Sequence, residues 1–168
     1  MTRNKLPSKL LPADMNEILE KYGHLLSSYV NLRERDSIFS RYKRTTNKLS
    51  VLFPLKEHPI HGITGLHATE KYDKEGFVKE YHYQWKTLIP KKGIRFSHIS
   101  AWENEPHNGP NTLDKYKVTS EPHHHHHVPG DRKQRQENFH VHTLDAAFAF
   151  IKEYIESGNE YKSKTKTK

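Results

Sequence analysis

The chain has 168 residues, with 33% hydrophobic and 29% charged residues, which allows one domain with a modest core and segments outside it. It carries 28 Lys and Arg against 20 Asp and Glu, a net charge of +8, with 14 His and no Cys. The lack of Cys excludes disulfides, thiolate metal sites and cysteine nucleophiles. No apolar run approaches the roughly 20 residues of a membrane span, and the first residues hold no apolar stretch of a signal peptide, so a cytoplasmic location away from membranes is expected.

Residues 1–50 hold ten basic and five acidic residues (+5), residues 51–150 thirteen and twelve (+1), and residues 151–168 five and three (+2). The basic surplus therefore sits at the two ends, as suits attraction to a polyanion. Residues 1–12, with Pro7 and Pro12, read as a disordered basic arm. Asp14 is placed to cap a helix, with Glu17 at the capping-box position. Ile18, Leu19, Tyr22, Leu25, Leu26 and Tyr29 recur at three- and four-residue spacing, predicting a helix to about Val30. Residues 31–48 have only Ile38, Phe39 and Tyr42 as anchors and take no clear type.

Alternation follows. Leu49, Val51, Phe53 and Leu55 predict a short edge strand interrupted by Pro54 and Pro59. Gly65–Tyr72, the turn Asp73–Gly76 and Phe77–Trp85 predict a hairpin, and Ile94–Trp102 a third strand. Residues 103–138 collect turn formers, charges and the histidine run into a long loop region. Thr143 caps a last helix striped by Leu144, Ala147, Phe148, Ile151 and Ile155 and stopped by Gly158; residues 159–168 read as a Lys-rich tail. The order predicts one α+β domain over residues 13–158, an antiparallel meander packed by N- and C-terminal helices, with a long His-rich loop region.

Period-2 alternation sends Tyr81, Tyr83 and Trp85 to one face and Glu80, His82 and Gln84 to the other. On the third strand it groups Ile94, Phe96, His98, Ser100 and Trp102 against Arg95, Ser97, Ile99 and Ala101. With the aromatic faces in the core, the other face brings Glu80, His82 and Gln84 near Arg95, Ser97, His67 and Lys71. A histidine, a carboxylate and a cation are the groups that RNA cleavage needs: a base for the 2'-hydroxyl, an acid for the leaving oxygen, a positive charge on the phosphate. An ordinary solvated sheet face carries such residues too.

Trp102-Glu103-Asn104-Glu105-Pro106-His107 leaves the third strand, and there Glu105 and His107 are candidate catalytic groups and Trp102 a base-stacking platform. In the run His123–His127, an extended backbone sends His123, His125 and His127 to one side and His124 and His126 to the other. Each side then offers the i, i+2 imidazole pair of many metal sites, or groups for proton transfer. His124 and His126 are taken as catalytic with Arg95 as phosphate clamp, and Arg132 and Lys133 as nucleic-acid contacts.

Trp102-Glu103-Asn104-Glu105-Pro106-His107, then Pro122–His127, Pro129-Gly130-Asp131 and the helix start at Thr143-Leu144, resemble the TumE-like family, toxin components of bacterial type II toxin-antitoxin pairs. The similarity spans about residues 60–157, with Asn108 standing where a second His is common. It implies a toxin neutralised by a helix-turn-helix antitoxin. Combined with the residues above, the expectation is a growth inhibitor that cleaves RNA through a His and carboxylate site, with RNA, the antitoxin and a second copy of the chain as partners. A non-enzymatic nucleic-acid- or partner-binding module and a His-rich protein binding a divalent metal are the alternatives.

Overall fold

The computed structural model describes residues 9–27, 42–89, 98–105, 118–120, 122–126 and 135–161. Its centre is a seven-stranded antiparallel sheet in which every strand lies beside its sequence neighbour. The strands are β1 (Lys43–Arg44), β2 (Lys48–Pro54), β3 (Ile63–Tyr72), β4 (Val78–Ile89), β5 (His98–Glu103), β6 (His124–His126) and β7 (Gln136–Glu137). Among the described residues two α-helices, α1 (Met15–Tyr22) and α2 (Leu144–Ser157), join the sheet in an α+β architecture. Among the described residues no helix is long and apolar enough to cross a membrane.

The β3–β4 hairpin turns where predicted. Asp73 accepts from the backbone N–H of Glu75 and Phe77, and Gly76 takes a φ of 91°, which costs a residue without Cβ little. Register sets the faces. Val51, Ala68 and Tyr83 lie in line across β2, β3 and β4, as do Phe53, Leu66 and Trp85; Trp102 lies opposite Tyr83, and His125 opposite Trp102. This is the face that the helices cover, with Phe148 of α2 stacked on Tyr22 of α1 at 4.9 Å and edge-on to Phe53 at 4.9 Å.

Both helix caps form as the sequence predicts. The Asp14 carboxylate accepts from the amides of Asn16 and Glu17, and Thr143 Oγ1 from that of Ala146; Gly158 closes α2 with a φ of 74°. Helix α1 is nonetheless shorter than its periodicity predicts. At Gly23 the chain passes into a short 3-10 turn, and its backbone then pairs with the end of β2: Ser27 N–H donates to Pro54 C=O, and Lys56 N–H to Leu25 C=O. Those tertiary bonds replace the helical ones. Strand β2 is no edge either, because β1 pairs along its outer side at Ser50 and Leu49.

The ordered core extends past both expected ends. Leu10 is buried and bridges Val78, so residues 10–12 are not a free arm. Tyr161, placed in the tail by sequence, is 2% exposed, packs edge-on to Trp85 and donates its backbone N–H to His61 Nε2. His58 adds a second tie to that end. Its Nδ1 accepts from the amides of Ile60 and His61, leaving Nε2–H to donate to Asn159 C=O at 2.8 Å.

Part of the histidine run forms a strand. His124–His126 pairs with β5, so a segment expected within the long loop region adds to the sheet. A β-bulge between Trp85 and Lys86 changes a second assignment. It sets His98 opposite Lys86, with Nδ1 3.0 Å from Gln84 Nε2, on the side away from the helices rather than with Ser100 and Trp102.

Burial of imidazoles gives the fold an acid-sensitive stability. Burial, then the neighbouring His142 and His124, lowers His123 from 6.5 to about 4, and burial also lowers His61 and His142. On acidification the unfolded chain takes up these protons before the folded one does. Stability is therefore full above pH 6.5 and is lost progressively as pH falls from 6.5 towards about 4. Urea midpoints measured across that range are expected to fall with pH, and His123→Gln to flatten the decline.

Candidate active site

The helix-free face is polar at the β4–β5–β6 end because of register. His82 lies opposite Glu103, and Glu103 opposite His124, while His126 follows two residues on along the same face. The Glu103 carboxylate lies among all three rings. Its Oε2 is 3.2 Å from His82 Nε2; its Oε1 is 2.8 Å from His124 Nε2 and 3.4 Å from His126 Nε2. Burial alone would raise the Glu103 pKa, but the hydrogen bonds of His124 and His126 and the charges of His82 and His126 hold it well below the usual carboxylate range.

Access is graded across the cluster. His82 has 40% of its side chain exposed, His126 14% and His124 none. Beside Glu103 the surface dips into a hollow of about 260 Å³ lined by Thr69, Lys71, Glu80, His82 and Glu105 among others. Lys71 pairs with Glu80 at 3.5 Å, both half exposed. Arg135, next to β7, is near enough for the Glu103 charge to act on it.

The motif Trp102-Glu103-Asn104 divides into three tasks. Trp102 is a correction to the sequence reading. It is 1% exposed, stacked on His125 at 5.0 Å and edge-on to Phe150 at 5.1 Å, so its ring offers no face to a nucleobase. Glu103 is the centre of the polar cluster. Asn104 extends the β4–β5 ladder with its side chain, accepting from Tyr81 N–H at 2.8 Å and donating to Lys79 C=O at 3.1 Å. Asn104→Ala is expected to cost about 1–2 kcal/mol and to speed exchange of the Tyr81 amide, read by hydrogen exchange.

Over His123–His126 the alternation of the histidine run holds, and His127 lies outside the described residues. His124 and His126 share the polar face, His125 turns to the helix side, and the buried His123 contacts the Tyr81 hydroxyl through Nδ1 at 2.7 Å. Ser100 Oγ lies 2.5 Å from His125 Nε2, but it is fully buried and donates to His126 C=O, so this Ser-His contact is no surface nucleophile. Of the residues chosen from sequence, His124 and His126 come together at Glu103, and Glu105 stands exposed at the rim of the hollow. His107, Arg95, Arg132 and Lys133 lie outside the described residues. Sequence reasoning passed over Glu103 and Arg135 and set His82 apart from the histidine run; the cross-strand pairing of His82 with Glu103 unites them.

Comparison of the chain with protein-family models, with curated proteins and with solved structures finds no match.

Proposed function

We propose that the chain is an RNA-cleaving toxin of a type II toxin-antitoxin pair, acting by proton transfer at His82, which Glu103 orients. One observation carries the chemical part: the exposed ring of His82 has Nε2 3.2 Å from Glu103 Oε2, while Oε1 of the same carboxylate is held from the other side by the buried His124 and the part-exposed His126. A carboxylate fixed in that way orients an imidazole and stabilises its protonated form, the task of the acidic member in catalytic triads. With Nε2–H donated to Glu103, Nδ1 of His82 is the nitrogen that takes the proton of a ribose 2'-hydroxyl. The freed oxygen attacks the adjacent phosphorus, the bond to the 5'-oxygen breaks, and that oxygen takes a proton from water while the His82 imidazolium gives its proton back to solvent, leaving a 2',3'-cyclic phosphate and a 5'-hydroxyl.

The charges support the reading. The net charge of +8 draws a polyanion. Lys71 is held by Glu80 only through a half-exposed pair. Such pairs are worth about 0–1 kcal/mol, so a phosphate can take the lysine over. The growth-inhibiting role and the helix-turn-helix antitoxin rest on the motif resemblance.

The test is incubation of the purified chain with end-labelled RNA and with a DNA of the same sequence. Cleavage of the RNA alone, leaving cyclic phosphate ends, is expected. Retardation of both in a gel without new ends would make the chain a binding module.

A further inference from the structure

We infer that Glu103 Oε1, His124 Nε2 and His126 Nε2 form a binding site for one borderline first-row divalent cation such as zinc. The three donors lie within 4.8 Å of one another and come from paired strands, the two imidazoles at i and i+2 on one face of β6 and the carboxylate across from them on β5. Metal bonds of about 2.0–2.1 Å put the ligands of one tetrahedral ion roughly 3.3 Å apart. The contacts from Glu103 Oε1 to the two Nε2 atoms, 2.8 and 3.4 Å, are close to that spacing, so small side-chain adjustments admit an ion.

The hydrogen bonds of His124 point the same way. Its Nδ1 is 3.0 Å from Pro122 C=O, which only accepts, so Nδ1 carries a proton. A neutral ring then turns the Nε2 lone pair at a carboxylate oxygen that also only accepts, 2.8 Å away. Two acceptors facing each other in a fully buried position need a cation between them. Either a second proton or a metal ion supplies it, and an imidazole fixed by Nδ1–H to a backbone carbonyl with Nε2 aimed inward is the usual posture of a metal ligand. His126 fits beside it. It brings the second imidazole from the same face of β6, with Nε2 3.4 Å from the same carboxylate oxygen.

Two nitrogens and one oxygen suit Zn, Ni, Cu or Fe(II) over Ca or Mg. The ion would use Oε1 and leave Oε2 to His82, so both roles of Glu103 coexist. It would also offset the carboxylates of Glu80, Glu103 and Glu105 around the hollow, which otherwise repel a phosphate. That last role rests on the proposed RNA cleavage; binding of the ion does not.

The experiment uses the full chain, purified without nickel resin and stripped with EDTA. It is titrated with Co(II), followed by visible absorption, and with Zn(II), followed by calorimetry, with thermal melts as folding control. One tight site is expected. Loss even of a residue that merely supports a ligand costs about 10- to 100-fold in affinity, so Glu103→Gln and the part-exposed His126→Gln should each weaken it by roughly 100-fold or more. The exposed control His140→Gln should leave it unchanged. Should Glu103→Gln fold poorly, His126→Gln and the rise in melting temperature of the wild type with Zn(II) decide alone. Equal affinity in all variants would assign the metal to the histidine run at large and overturn the site; so would no tight binding, leaving His124 as an imidazolium paired with Glu103. Tight binding without RNA cleavage keeps the site and removes the proposed activity; cleavage by an EDTA-stripped chain that binds no ion does the reverse.

Discussion

His82→Ala is expected to lower the single-turnover rate of RNA cleavage by about 100- to 10,000-fold, the usual contribution of a general acid or base. His82 is the cleanest member of the cluster to remove. With 40% of its side chain exposed, its loss should leave the melting temperature almost unchanged, so lost activity cannot be read as lost structure. Replacing His124 is less informative, because a fully buried ring that bonds both Pro122 and Glu103 takes part of the fold with it. Glu103→Gln should slow cleavage in the same range, since an amide neither stabilises the His82 imidazolium nor orients its ring as a carboxylate does. An unchanged rate in a well-folded His82→Ala chain would separate the polar face from the chemistry.

The largest expected loss of stability lies on the other face. Glu70 is 1% exposed, and its carboxylate accepts from Tyr72 Oη at 2.8 Å, Tyr83 Oη at 2.5 Å and the Ala13 amide at 3.0 Å. Burial first, and then the Glu70 charge, pushes both tyrosine hydroxyls up, so they remain protonated donors. Glu70→Ala strands three donors in the interior at about 1–3 kcal/mol each, and a total of roughly 3–5 kcal/mol is expected after partial relaxation. That is a large share of the roughly 5–15 kcal/mol of a typical domain. The Ala13 amide leads directly into α1, so the helix should loosen with it. Urea unfolding of Glu70→Ala checks the figure, and adding Tyr83→Phe should recover part of the loss by removing one stranded hydroxyl.

Where local rules act alone, the sequence is a good guide to this fold. Asp14 and Thr143 cap their helices, Asp73–Gly76 turns the hairpin, and period 2 separates Tyr81, Tyr83 and Trp85 from His82 and Gln84. It fails where a partner distant in sequence decides. Nothing near Glu70 announces the two tyrosines and the amide that allow a carboxylate in the core. Nothing near Tyr161 announces Ser100 or His61, and the polar tail around it reads as solvent. The candidate site divides along the same line. The i, i+2 geometry of His124 and His126 is legible in the run itself, whereas the choice between Glu103 and Glu105 depends on which of them faces β6. Alternation about Trp102 sends Glu103 and Glu105 to the same face, so only the cross-strand pairing of Glu103 with His124 separates them.

The most direct test is expression of the wild type, His82→Ala and Glu103→Gln in cells without antitoxin, with cellular RNA examined for fragments ending in cyclic phosphate and melting temperatures taken on the purified chains. Growth arrest with such fragments from the wild type, and neither from the two folded variants, is the predicted result. Arrest of equal strength by all three, or arrest by the wild type with intact RNA, would contradict the account.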